Sequence, residues 1–133
     1  MDGAIIELRW AGENTGQRTA VLKNGLDQLA AYFDGSLSEF DLPLNPAVGD
    51  FGASVLDQIN AIPFGYTKTY GEIADALGSA AQPVGTACGA NPIPIIIPCH
   101  RVLAQNGLGG FSGAGGVETK VTLLRHEGAG VLI

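Results

Sequence analysis

Cys99 and His100 stand side by side at the end of Asn91-Pro-Ile-Pro-Ile-Ile-Ile-Pro-Cys-His-Arg-Val102, an arrangement suited to mounting a reactive thiol. A thiol attacks as its thiolate, and at a free pKa of about 8.5 only a few per cent is ionised at neutral pH. A neighbouring imidazole or cation can lower that value by roughly one to several units, so His100 is a candidate base and Glu127 a candidate carboxylate to orient it. Each residue also has a plainer reading. A free cysteine is usually a small buried hydrophobe, and a glutamate near a helix end is usually a solvated charge. Taken together, the three point to nucleophilic catalysis at Cys99.

The elements that must position this thiol can be read from pattern. Prolines at 92, 94 and 98 fix φ and remove backbone donors, so the approach to Cys99 is neither a regular helix nor a central strand; it is expected to be extended and shielded. Ala4 to Trp10 alternates, with Ile6, Leu8 and Trp10 on one face, and reads as a half-buried strand. Leu26, Leu29, Ala30 and Phe33 recur at helical spacing over residues 24–34, with Gly35 as a left-handed cap. Pro43 and Pro46 mark a linker. Asp50 is expected to cap a helix with the stripe Phe51, Val55, Leu56, Ile59 and Ile62, ended by Pro63 and Gly65.

Thr69-Tyr-Gly-Glu72 has the form of a capping box opening a short helix through Ile73, Ala74 and Leu77 to Gly78. After the turn Ser79-Ala-Ala-Gln82, Pro83 suits the first position of a second helix running to about Gly89. Two short helices joined by a small-residue turn describe a helix-turn-helix, although two helices packed in any core share the pattern. Glycines at 107, 109, 110, 113, 115 and 116 form a wall after Val102, and Val117, Val121 and Leu124 suggest a last helix closed by Gly128.

The chain has 133 residues, 46% of them hydrophobic, enough for one good core or two small ones. No apolar run is long enough for a bilayer, and Met1-Asp-Gly-Ala lacks the basic start of a secretory signal, so a cytoplasmic protein without a membrane partner is expected. With only Cys88 and Cys99 there is no disulfide framework, and no structural metal or other cofactor is expected. The net charge of −6 is unusual for a protein that holds phosphates. Residues 1–46 carry seven acids and three bases and residues 47–133 six acids and four bases, so the acidity is weighted toward the front. Any affinity for a phosphate backbone is expected to be weak and salt-sensitive.

Pro98-Cys99-His100-Arg101-Val102, preceded by Asn91-Pro92, resembles the active-site signature of the O6-alkylguanine-DNA alkyltransferases. Phe40-Asp-Leu-Pro-Leu44, Ile62-Pro-Phe-Gly65, Thr69 to Asp75, Val84-Gly85, Leu108-Gly-Gly110 and Leu123-Leu124 to Glu127 follow in the family's order, covering nearly all of the chain from about residue 20. The resemblance implies an α+β protein, with a shortened α/β N-terminal domain over 1–46 and a winged helix-turn-helix alkyltransferase domain over 47–133. It implies irreversible transfer of an alkyl group from O6-alkylguanine in DNA to Cys99, by a monomer acting on duplex or single strands.

By the same resemblance His100, through a water, takes the thiol proton while Glu127 orients it, and Asn91 is a structural hinge. Tyr70, Val102, Phe111 and Ser112 line the base pocket, and Lys68, Gln82, Pro83 and Arg101 meet DNA. Where the family commonly has an arginine that replaces the flipped base, this chain has Gln82, which can hydrogen-bond an orphan base but lacks charge and stacks less well. Phe111 keeps an aromatic wall and loses a hydroxyl, and Leu56 replaces a frequent tryptophan.

Two other classes compete. A module that binds alkylated DNA without completing transfer fits the acidic charge and Gln82, but non-transferring relatives replace the cysteine that this chain keeps. A cysteine hydrolase would use the same Cys-His-Glu set, yet no acyl-binding motif accompanies it.

Overall fold

The computed structural model describes residues 20–44, 46–105, 107–109 and 116–129. It is a mixed fold of helices around a small two-stranded sheet: α1 (Ala20–Phe33), α2 (Asp50–Asn60), β1 (Lys68–Thr69), α3 (Tyr70–Leu77), α4 (Ala81–Gly89), a 3-10 turn (Cys99–Arg101), β2 (Val102–Leu103) and α5 (Gly116–His126). The strand expected over Ala4–Trp10 lies outside the described residues. Among those residues no helix is long and apolar enough to cross a membrane.

The main core is built by α2, α3, α4 and the proline-rich segment. Val55, Leu56 and Ile59 of α2, Ile62 just beyond it, Ile73 and Ala74 of α3 and Val84 and Cys88 of α4 close on Ile93, Ile96, Ile97, Cys99 and Val102. Each fully buried aliphatic side chain contributes about 1.5–3 kcal/mol, so the thiol is mounted on the main core cluster of the described residues. A smaller cluster of Tyr32, Ile95 and Leu123 joins α1 and α5 to the same segment.

Several local expectations need correction. In α1 the large buried side chain among those described is Tyr32, whereas Leu26 is 39% and Phe33 53% exposed. Apolar residues occupy two faces of this helix, and the face that meets the rest of the fold is the one carrying Tyr32. Gly49, not Asp50, is the N-cap of α2: it has no side chain to offer, and its carbonyl receives the amide of Ala53 at 2.8 Å. Asp50 therefore lies inside the first turn, where its charge meets the positive end of the helix. Phe51 is exposed, because that turn projects beyond the core.

α3 opens as expected. Thr69 Oγ1 accepts from the amide of Glu72 at 3.1 Å, Glu72 Oε1 accepts from the amide of Thr69 at 2.8 Å, and Gly78 ends the helix at φ +65°. α4 begins at Ala81, which makes Pro83 its third residue instead of its first. Proline is tolerated there because amides of the first turn have no helical acceptor.

The approach to Cys99 is shielded but not extended. From Ile93 to Val102 every residue is buried, and the chain doubles back, with the amide of Ile97 donating to Ile93 O at 2.9 Å and that of Cys99 to Ile97 O at 2.8 Å. Ile95 takes φ +72°, the only left-handed residue other than glycine among those described. Beyond the turn, β2 pairs in parallel with β1, Lys68 opposite Val102 and Thr69 opposite Leu103, so the entry to α3 is tied directly to the thiol segment.

Candidate active site

Asn91 holds the thiol segment closed. Its Nδ2 donates to Ile97 O at 2.9 Å and its Oδ1 accepts from the amide of Ile93 at 3.0 Å, so both ends of one amide are used on a single loop. Cys99, 5% exposed, sits where this loop enters the 3-10 turn. The turn sends Cys99 toward α4, while His100 and Arg101 point toward α5.

On the α5 side a buried carboxylate collects donors. Glu127, one residue past α5, receives Tyr32 Oη at 2.6 Å and His100 Nε2 at 2.7 Å on Oε2, and Arg101 through Nε to Oε1 at 2.8 Å and Nη2 to Oε2 at 2.9 Å. Burial opposes ionisation of Glu127, but the hydrogen bonds from His100, Arg101 and Tyr32 outweigh it and hold the group down to about 2. An ionised carboxylate only accepts, so the His100 proton resides on Nε2. Burial drives the imidazole below its ordinary pKa and keeps it neutral. His100 Nδ1 is thus left as a buried acceptor without a protein partner.

Around the thiol a second group gathers. The Cys88 thiol of α4 donates to the Cys99 carbonyl at 3.9 Å, and the nearness of its side chain is the main cause that lowers the Cys99 thiol to about 7; burial works against it, and Asn91 and the positive charge of Lys120 assist. The same pairing, with burial, pushes Cys88 far up and leaves it a thiol. Lys120 of α5 is fully buried, donates from Nζ to Val102 O at 2.6 Å and lies 5.9 Å from the centroid of the Tyr70 ring. Burial, followed by the charge of the two sulfurs, raises the Tyr70 hydroxyl to about 12. Gly109 lets the chain after β2 close on this ring: at φ +72°, a Cβ there would come within 3.2 Å of both Tyr70 Cε2 and Ala104 N.

The structure therefore brings Cys99, His100, Glu127, Asn91, Tyr70 and Val102 into one neighbourhood. Gln82 and Pro83 are exposed in the first turn of α4, and Lys68 is half-buried in β1. Phe111 and Ser112 lie outside the described residues. Arg101 is a correction: expected at DNA, it is 6% exposed, with Nη1 donating to Ile62 O at 2.6 Å and the rest of its guanidinium on Glu127. With three of its five N–H groups committed inside the protein and the side chain buried, Arg101 is not presented to a phosphate.

Burial lowers the His100 imidazole, and the influences that lower the Cys99 thiol are the Cys88 side chain, Asn91 and the positive charge of Lys120. Tyr32, Cys88 and Lys120 were missed as site residues. A lysine amid the apolar residues of α5 and a second cysteine eleven residues before Cys99 are the only traces they leave in the sequence.

Residues 50–129 match the family described as 6-O-methylguanine DNA methyltransferase, DNA binding domain. A methylated-DNA–protein-cysteine methyltransferase of Mycobacterium tuberculosis is 49% identical over 105 residues, 77% of this chain and 62% of that protein. One from Salmonella typhimurium is 44% identical over 130 residues, covering 93% of this chain and 74% of that protein. The crystal structure of M. tuberculosis O6-methylguanine methyltransferase superposes with a TM-score of 0.82 at 38% identity, covering 99% of this chain and 86% of that one. An M. tuberculosis OGT in complex with DNA gives 0.76 at 46% identity over 81% of this chain and 68% of that one. The chain spans a little under two thirds of the mycobacterial relative's length. With the family match spanning most of the described fold and including the whole thiol segment, this chain belongs to the methylated-DNA–protein-cysteine methyltransferases.

Proposed function

We propose that this chain repairs DNA by taking the alkyl group of O6-alkylguanine irreversibly onto Cys99. The observation that carries this is Cys99 mounted directly before a His100 whose Nε2 is committed to Glu127 Oε2 at 2.7 Å, which leaves Nδ1 as a buried acceptor. The Cys99 proton passes to His100 Nδ1 by way of a water, the sulfur forms a bond to the alkyl carbon, and the carbon–O6 bond breaks with its electron pair going to O6. The released guanine recovers the proton. Nothing in this sequence regenerates the thiol, so each molecule reacts once.

In this reading α3 and α4 are the helix-turn-helix of a winged domain over 47–133, residues 1–46 belong to a separate N-terminal domain, and the protein works as a cytoplasmic monomer. Tyr70 and Val102 face the extruded guanine, with Phe111 and Ser112, outside the described residues, as the remaining candidates for contacts to the base. Lys68, Gln82 and Pro83 meet DNA from β1 and the start of α4. Intact mass after incubation with excess O6-methylguanine DNA should rise by one alkyl group per chain and stop. Repeated turnover, or no gain, would overturn the proposal.

Gln82 governs which substrate reacts fastest. Extruding a base costs a few kcal/mol, part of which an intruding side chain offsets by filling the gap and bonding the orphan base. Gln supplies bonds but little stacking or charge, and with Arg101 withdrawn few cations hold the backbone. Gln82→Arg should therefore raise the second-order rate on duplex O6-methylguanine by about fivefold, equivalent to ~1 kcal/mol in the flipping step. The rate with free O6-benzylguanine should stay within twofold. Equal response of both substrates would show that another group fills the gap.

A further inference from the structure

The geometry points to Tyr32 as a positioning residue of the transfer reaction: from α1, its hydroxyl shares one oxygen of Glu127 with the His100 imidazole, and it thereby sets how strongly the carboxylate pulls on that ring. The inference rests on the proposed function and adds to it a residue of the front segment, 95 positions away from its partner.

Tyr32 is fully buried, and its hydroxyl lies 2.6 Å from Glu127 Oε2 while His100 Nε2 lies 2.7 Å from the same atom. A backbone contact fixes α1 in place, His126 Nε2 donating to Tyr32 O at 2.6 Å with the two rings 4.8 Å apart. A tyrosine used only for packing would turn its hydroxyl to water or to a backbone carbonyl. Here the hydroxyl goes to the carboxylate that holds the base.

Two donors on one carboxylate oxygen compete for its electron density. Each takes up part of the negative charge, so the Tyr32 bond weakens the attraction between Glu127 and a proton on His100. The groups facing the imidazole are Glu127 and Arg101, with Lys120 on α5 and Cys99 in the turn; the cations and burial oppose its protonation, and Glu127 favours it. Tyr32 moderates that single favourable contribution. It keeps the imidazole neutral with its proton on Nε2, and Nδ1 open to the thiol proton.

The test is the titration of the His100 ring carbon signal by NMR in the full chain, alongside the pH profile of Cys99 with iodoacetamide and with O6-benzylguanine. Tyr32→Phe keeps the ring and leaves Glu127 bonded to His100 and Arg101. It should move the His100 midpoint upward by about 0.5–1 pH unit. The acid limb of O6-benzylguanine transfer should follow, with the rate at pH 8 within twofold of the parent. 3-Fluorotyrosine inserted at position 32, a stronger donor of the same shape, should move the midpoint downward. Tyr66→Phe, at a 66% exposed site, should move nothing. An unmoved His100 midpoint in both position-32 variants, or shifts of the same sign, would reduce Tyr32 to a packing residue. Should the parent fail to take alkyl from O6-benzylguanine while these shifts appear, the proposed function falls and the role of Tyr32 in holding His100 stands.

Discussion

Cys99→Ser should take up no detectable alkyl group, whereas Cys88→Ala should keep the adduct on Cys99 and slow transfer several-fold at pH 7. The first result follows from chemistry: a serine hydroxyl in this setting has no comparable route to its anion. The second follows from the paired sulfurs. Cys88 is the chief cause that brings Cys99 to about 7, against an ordinary 9.0. If its removal returned Cys99 all the way, the thiolate fraction at pH 7 would fall roughly fifty-fold. A more basic thiolate is also a better nucleophile, with a Brønsted slope of about 0.4–0.5, and this recovers most of a tenfold. The net loss is about fivefold at pH 7; it vanishes near pH 8, and by pH 9 the variant should react about threefold to fivefold faster than the parent. Transfer rates from pH 6 to 9 with peptide mapping read both effects. An adduct on Cys88 would remove Cys99 as nucleophile, and an unchanged rate at pH 7 would remove Cys88 as its acidifying partner.

Glu127→Gln should cost more stability than any other single change in the site. The neutral amide presents two protons where Tyr32, His100 and Arg101 all donate, and it leaves the buried guanidinium of Arg101 without a counter-charge. Breaking such a pair costs about 3–5 kcal/mol. For a chain of this size that lowers Tm by on the order of 10 °C. The pH dependence has a definite sign. Glu127 is held at about 2, below its ordinary 4.5, so its contribution is complete above 4.5 and is lost as pH falls toward 2. The parent should lose stability through that window and Glu127→Gln should be nearly flat there. Alkyl transfer should drop sharply while the Cys99 midpoint stays near about 7, because Glu127 acts on His100 and not on the thiol. Thermal melts from pH 2 to 8 and iodoacetamide titration separate these claims; a midpoint raised in a folded variant would tie Glu127 to the sulfur after all.

Legibility in the sequence followed distance along the chain. Cys99 and His100 are neighbours bracketed by prolines, and the Thr69–Glu72 box is complete within four residues, so both could be seen before folding. Glu127 was singled out from the order of motifs. Tyr32 could not be found that way: in an amphipathic helix a buried tyrosine looks the same whether its hydroxyl meets water or a carboxylate. Arg101, assigned to DNA by the family resemblance alone, is aimed by the turn at Glu127, which no pattern along the chain announces. The solvent side of α1 was misjudged because Leu26 and Phe33 are as apolar as the residues it buries.

The left-handed backbone at Ile95 has a consequence for anyone engineering this scaffold. A β-branched side chain at φ +72° costs roughly 1–2 kcal/mol, and stabilisation by design would nominate the position for glycine. That exchange would lose more than it relieves. Ile95 is 6% exposed and packs with Tyr32 and Leu123, so deleting its side chain opens a cavity worth about 2–5 kcal/mol and loosens a glycine into the unfolded chain. The strained residue is also the rivet between α1, α5 and the thiol loop, and evolution toward higher thermal tolerance is expected to keep the strain and improve the packing around it.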